Sequence, residues 1–378
     1  MPTQYYLAVA HQTSPFVSVY AQDGSLLSKI ADPSTLPPNT AYDVAWTGDS
    51  DYLAVAHAAS PVVTVYKRSE AVLTKISNPA VLPGGTGNCV AWTQDGVYLA
   101  VGSSSGGYLK VYKRSGDTLT WIGNPAVLPP NQARGVSWSS DGIYLSVAHY
   151  LGDGFTVYKR SGDVLTKITT PALPSSGWGY STSFSPDDTY LNVGSNASPY
   201  QYMYKRNGDA FTQLPNISGT LNWPNSTVVS SAWTPDNNYF SMSFNSSPYY
   251  RLYLRSGDTL VRLNVPTGPG QGHGITWSID STYQAQAHTG VPYFTVWERS
   301  GNTLATISSP TTTPPFTAWG AAYSGYANLA PTEPTLVAPA DLLEVPAAEP
   351  LLYDWDFNDP DPSDTQTEFA LVRRKVAP

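Results

Sequence analysis

Four of the five histidines in this chain stand in equivalent places. His11, His57, His149 and His288 each close a stretch related to Tyr-Leu-Ala-Val-Ala-His. A ring of imidazoles suggests a metal. However, neighbouring sheets pack about 10 Å apart, whereas zinc–nitrogen bonds are about 2 Å. With one histidine per unit, the expectation is an imidazole bonded to a nearby loop backbone. A second column holds Arg68, Arg114, Arg160, Arg206, Arg255 and Arg299. Such a rim suits a polyanion, but that needs a basic field, which these units lack. Local pairing with Asp117, Asp163, Asp209 and Asp258 is the plainer reading. A third column varies: Tyr42, Asn88, Arg134, Tyr180, Val229, His273 and Trp319. Nearby stand Trp178 and Trp223. Aromatic, Arg and His side chains suit recognition, and indole faces suit sugar rings. The plainer alternative is that these rings only cover Pro-rich loops. Tyr42, Arg134, Trp178, Tyr180, Trp223, His273 and Trp319 are therefore the candidate binding residues.

No enzyme constellation accompanies them. The chain has no nucleophile elbow, phosphate loop or HExxH pair. Neither Asp153 nor Asp188 makes a convincing catalytic carboxylate. Asp354, Asp356, Asp359, Asp361 and Asp364 form an acidic turn without the Gly and terminal Glu of a calcium loop. Asn196, Asn216, Asn225 and Asn245 begin glycosylation sequons, which carry little weight without a secretory signal. The lone Cys89 excludes an intrachain disulfide and reads as a buried thiol. No cofactor or metal is expected.

The columns exist because one unit recurs seven times. Its strand-a aromatic is Trp46, Trp92, Trp138, Phe184, Trp233, Trp277 and Tyr323, spaced 46, 46, 46, 49, 44 and 46 residues apart. Each unit reads as four short strands. Strand a carries the aromatic, and an Asp caps the following turn. Strand b is apolar on both faces, hence buried on both. Strand c ends in Tyr-Lys-Arg, and a Gly hairpin leads to strand d. A Pro-rich loop returns to the next strand a. Four strands per 44–49-residue period predict a seven-bladed β-propeller. Met1 precedes a strand b, and Tyr323 supplies a strand a without its own b, c and d. The two ends should pair and close the ring, removing free edges. The variable column then surrounds the mouth of a central channel on one face, the top.

Composition agrees with an all-β chain. Charged residues make up only 13%, while Pro (33), Gly (30) and Tyr (26) are plentiful. The net charge of −8 excludes a general nucleic-acid binder. No apolar run reaches about 18 residues, so no membrane-inserting helix is expected. The acidity is local: residues 327–378 hold 10 acidic and 3 basic side chains, against 18 and 17 in residues 1–326. The sequence predicts a propeller over 1–326, a Pro-rich linker over 327–350 and the first strands of a β-sandwich over 351–378.

The phrases Val-Ala-Trp-Thr-x-Asp-Gly-x-Tyr-Leu-Ala-Val and Tyr-Lys-Arg-Ser-Gly-Asp resemble the WD-repeat-like propellers of bacteriophage and prophage structural proteins. No Trp-Asp ends strand c, which departs from eukaryotic WD repeats. The segment from Asp354 to Thr367 is similar to fibronectin type III-like modules of phage tails. The resemblance implies a non-enzymatic virion component, a minor tail or tail-fibre protein. It would be made in the host cytoplasm without a signal peptide and carried on the extracellular particle. The propeller would mediate attachment or contact with a host-surface glycan, and the acidic tail would join other virion proteins in a larger assembly. The alternatives are a propeller glycosidase or lactonase, and a bacterial surface lectin or scaffold. An enzyme would need a carboxylate or metal at the channel mouth, and the variable column holds no carboxylate.

Overall fold

The computed structural model describes residues 5–171, 173, 177–215 and 226–325. Trp223, the linker and the expected sandwich strands lie outside the described residues. The described chain is all strand, in seven antiparallel four-stranded sheets. Six blades take consecutive strands, such as Ala41–Trp46, Tyr52–His57, Val63–Ser69 and Val72–Lys75 in blade 2. Blade 1 is composite. Ala318–Tyr323 pairs with Tyr5–His11, which continues to Val17–Asp23 and Leu26–Lys29. The expected closure of the ring by its two ends is present.

Local chemistry explains the repeat. In blade 2 the Thr47 hydroxyl donates to Asp49 and accepts the Tyr52 N–H at 3.0 Å. Asp49 in turn accepts the Asp51 N–H at 3.0 Å. The side chains thus satisfy backbone groups that a tight turn leaves unpaired. The arrangement recurs at Thr93, Ser139, Ser185, Thr234 and Ser278. Blade 1 has no covalent turn here, yet Ser324 accepts the Tyr6 N–H at 2.9 Å. The Ser324 N–H donates to the Tyr6 carbonyl at 2.8 Å.

The fold has no single centre. Its apolar side chains form seven clusters, each between two neighbouring blades, as Leu53, Val55 and Tyr66 pack with Tyr6, Ala8 and Val19. Every strand b is buried along its whole length, except that Ser104 and Ser105 at the end of the blade 3 strand are not. The two-sided apolar pattern of strand b arises because it lies between two sheets.

A polar latch adds to four of these apolar contacts on the bottom face. The Tyr98 hydroxyl of blade 3 donates to Asp163 in the hairpin of blade 4 at 2.5 Å. Lys113 of blade 3 reaches the same carboxylate at 3.0 Å. Arg160 of blade 4 lies over the Tyr98 ring at 4.2 Å and donates to its own turn at Gly142 O, at 2.8 Å. The arginines are therefore held by backbone and aromatic faces. Three of them also pair with a turn aspartate of the preceding blade: Arg114 with Asp49 at 3.9 Å, Arg255 with Asp187 at 2.8 Å and Arg299 with Asp236 at 3.3 Å. The hairpin aspartates bond the Tyr and Lys of the preceding blade. The expected pairing of each arginine with its hairpin Asp is corrected accordingly. Blade 2 carries Ala71 where this Asp would stand, so Tyr6 of blade 1 keeps the Arg68 cation over its ring, at 4.7 Å, without the hairpin carboxylate.

The histidine column is structural. Nε2 of His11, His57, His149 and His288 lies 2.9–3.1 Å from the hydroxyl of Ser18, Thr64, Thr156 and Thr295. His149 also bonds the Leu151 carbonyl at 3.1 Å through Nδ1. The sequence reading anticipated the loop backbone but not the strand-c hydroxyl. Burial pushes His11, His57 and His288 down to about 4.

Two predictions follow from these contacts. Tyr52→Phe removes a phenol bonded to Asp117 and should cost about 0.5–1 kcal/mol, the low end reflecting the solvent-open carboxylate. Tyr6→Phe should change stability by less than about 0.5 kcal/mol. Urea unfolding of both variants separates them. The second concerns acid. The unfolded histidines bind protons near 6.5 and the folded ones only near 4, so stability is full above about 6.5 and falls as pH drops towards 4. His57→Asn should make that fall in melting temperature shallower.

Candidate functional site

Strand a of each blade packs against strand a of the next, all the way round. These seven strands form the channel wall, and their backbones approach closely. A Cβ on Gly320 would lie 2.7 Å from the Cα of Asp43, and one on Gly274 would lie 2.7 Å from the Cα of Gly320. The positions at this level are accordingly small: Gly135, Ser181, Ser230, Gly274, Gly320 and Cys89. Asp43 is the exception. Its carboxylate accepts the Val44 N–H at 2.9 Å and the Val90 N–H at 3.0 Å, bridging blades 2 and 3. Burial pushes its pKa up to about 7 against those two donors. The neighbouring Cys89 thiol is buried, and burial raises its pKa well above the usual range.

The variable column lies one residue earlier on each strand a. It divides into two arcs. On blades 7, 1 and 2, the His273 ring packs 4.2 Å from Trp319, which lies 5.9 Å from Tyr42. Burial pushes His273 down to about 4, and its Nε2 is buried without a hydrogen-bond partner. The imidazole is therefore neutral at physiological pH.

On blades 4 and 5, the Arg134 guanidinium lies 4.8 Å from the Tyr150 ring and 5.5 Å from that of Tyr180. The Tyr150 hydroxyl donates to Tyr180 at 3.4 Å. Burial and that neighbouring hydroxyl hold the Tyr180 phenol up at about 12. The Trp178 ring lies tilted 4.6 Å from that of Tyr150, and Trp178 keeps 38% of its surface exposed. The Trp178 N–H donates to Asn196 Oδ1 at 2.8 Å, which fixes the loop. Arg134 makes no ion pair among the described residues.

The arcs are separated by Asn88, whose Nδ2 donates to the Ala133 carbonyl at 2.8 Å, and by Val229. Blades 4 and 7 are as far apart round a seven-membered ring as two blades can be. The mouth thus offers a cation without an acid on one side and a neutral imidazole on the other, with aromatic faces beside each.

The structure gathers Arg134, Tyr180 and Trp178 in one cluster and His273, Trp319 and Tyr42 in another. It also adds Tyr150, which lies after strand b rather than on strand a. Asp43 was missed because it stands one place off the variable column. A signal existed: it is the one charged residue in a column of Gly, Ser and Cys. Among the described residues, no three His, Cys, Asp or Glu side chains group so as to hold a metal ion.

No protein-family profile matches the chain, and no curated protein matches its sequence. Solved structures do match its shape. A Bacteroides uniformis protein with a provisional 6-phosphogluconolactonase assignment superposes with a TM-score of 0.70 at 13% identity, covering 85% of this chain and 99% of its own. The periplasmic gluconolactonase PpgL of Pseudomonas aeruginosa gives 0.65 at 15% identity, covering 86% of this chain and 100% of its own. The Cps50 (Swd1) β-propeller domain of Myceliophteria thermophila gives 0.58 at 11% identity, over 78% and 96%. At these identities the likeness establishes the fold.

The comparisons correct the expectation of a non-enzymatic virion component with an attachment role. The similar structures include lactonase propellers, so the enzyme alternative is the better supported. The physical reason lies in the motifs that suggested a virion origin. Thr-x-Asp caps a turn, and Tyr-Lys-Arg latches one blade to the next. Both build blades, and neither reports where a propeller works or what it does.

The packing of the channel wall gives a test. Gly320→Ala forces a methyl group into the Asp43 backbone and should cost about 1–3 kcal/mol, read as a lower urea midpoint.

Proposed function

We propose that the top mouth of the channel hydrolyses a ring-closed sugar ester, a lactone of the class that the structural neighbours are named for. The observation that carries this reading is Arg134, a guanidinium at the channel mouth held by aromatic faces and left without a carboxylate. Such a group receives developing negative charge well.

In this reading Trp178 and Tyr150 on one side, and Trp319 on the other, face the sugar ring. Neutral His273 takes a proton from water as the water oxygen bonds to the lactone carbonyl carbon. Arg134 stabilises the tetrahedral oxyanion. The bond from that carbon to the ring oxygen then breaks, and the imidazolium returns its proton to the departing oxygen. The products are the open-chain hydroxy acid and the unchanged protein.

The test is hydrolysis of gluconolactone and 6-phosphogluconolactone by purified protein, measured against buffer. Arg134→Ala should lower kcat/KM about 10²–10³-fold, and His273→Asn about 10²-fold. Because His273 must be neutral, kcat/KM should rise through about pH 4 and level off above it. Rates equal to buffer for both lactones would refute the proposal.

A further inference from the structure

Blade 6 carries a second unpaired cation, set two strands back from the channel. Arg251 lies on strand c (Tyr250–Ser256) and is 7% exposed, yet its Nε and Nη1 are buried without partners among the described residues. The equivalent position in the other blades is always satisfied. Ser18, Thr64, Thr156 and Thr295 bond the histidines. Lys110 donates to Gly106 O at 3.1 Å and Asn124 Oδ1 at 3.0 Å. The Tyr202 hydroxyl donates to Ser198 O at 3.4 Å.

Two more groups share this face of the sheet. Tyr253 is two residues along the strand, and Arg262 of strand d (Thr259–Arg262) is its direct cross-strand partner. The Tyr253 hydroxyl is buried without a partner among the described residues, as are those of Tyr20 and Tyr204 in the same column. Neither arginine makes an ion pair among the described residues. The nearest ring to Arg251 is Phe244, 6.0 Å away. A buried charge without a counter-charge is strongly unfavourable. Arg262, half-buried, opens the edge of this face to solvent.

From two arginines and a phenol on one sheet face, with no carboxylate among them, we infer a binding site for a tetrahedral oxyanion, phosphate or a phosphate monoester. Arg251 supplies the buried forked contact, Arg262 the outer charge and Tyr253 a neutral donor. The site stands independently of the lactone reading, which concerns the channel mouth.

Calorimetric titration of the full chain with inorganic phosphate, and separately with glycerol phosphate, tests it. The wild type should show saturable binding. Arg251→Met should abolish it, and Arg262→Gln should weaken it about tenfold or more. If Arg251→Met does not fold, the Arg262→Gln comparison decides. Binding of phosphate alone assigns a free ion, and tighter binding of the ester assigns a phosphorylated ligand. No binding by the wild type, or equal binding by the wild type and the variants, overturns the inference.

Discussion

A ring built without a central core must close on itself, and here one strand pair closes it. Ala318–Tyr323 takes its place beside Tyr5–His11, so that blade 1 acquires the channel-facing strand that the N-terminal segment lacks. Ser324 then repeats for Tyr6 what Thr47 does for Tyr52, although no peptide turn joins them. The hydrogen-bond pattern of the turn is thus recovered from opposite ends of the described ring. Tyr323 completes the closure by donating to the buried Gln22 side chain at 2.7 Å.

Everything between these ends is held pairwise. Each interblade cluster is apolar above, and four of the seven are latched below by a phenol, a hairpin carboxylate and a guanidinium. The latch varies where the apolar packing does not. Gln22 replaces the arginine in blade 1, and Ala71 replaces the aspartate in blade 2. Blade 1 is therefore joined to both neighbours by apolar packing and closure bonds more than by the polar latch. Burial of strand b on two faces tolerates this, because hydrophobic stabilisation scales with area and needs no matched partners.

Small residues at one level of strand a serve a different purpose. They let seven backbones meet around the axis, and the next residue along is then free to differ from blade to blade. Diversity of side chains is marked at that position and in the adjoining top loops. Arg134, His273 and Trp319 sit there on a scaffold whose other columns are committed to turns and latches. Arg251 shows the same freedom on strand c, where the loss of a histidine from strand b leaves its partner position open to a cation.

Much of the architecture was legible in the sequence. The spacing of Trp46, Trp92 and Trp138, and the unmatched strands at Tyr6 and Tyr323, determined seven blades and their closure, because each repeat is a local unit whose period survives in one dimension. The members of the mouth column were legible too, as the residues that broke the repeat. Their grouping was not. Arg134 meets Tyr180, and His273 meets Trp319, across blade boundaries that no local pattern encodes. The partner of Asp163 was misjudged for the same reason: the nearer Arg160 in sequence is turned to its own backbone, while Tyr98, 65 residues away, reaches the carboxylate. Sequence determined what repeats, since repetition is a property of the chain. Tertiary structure decided which side chains touch across blades, since the contacts that join one repeat to the next leave no trace in the period of either.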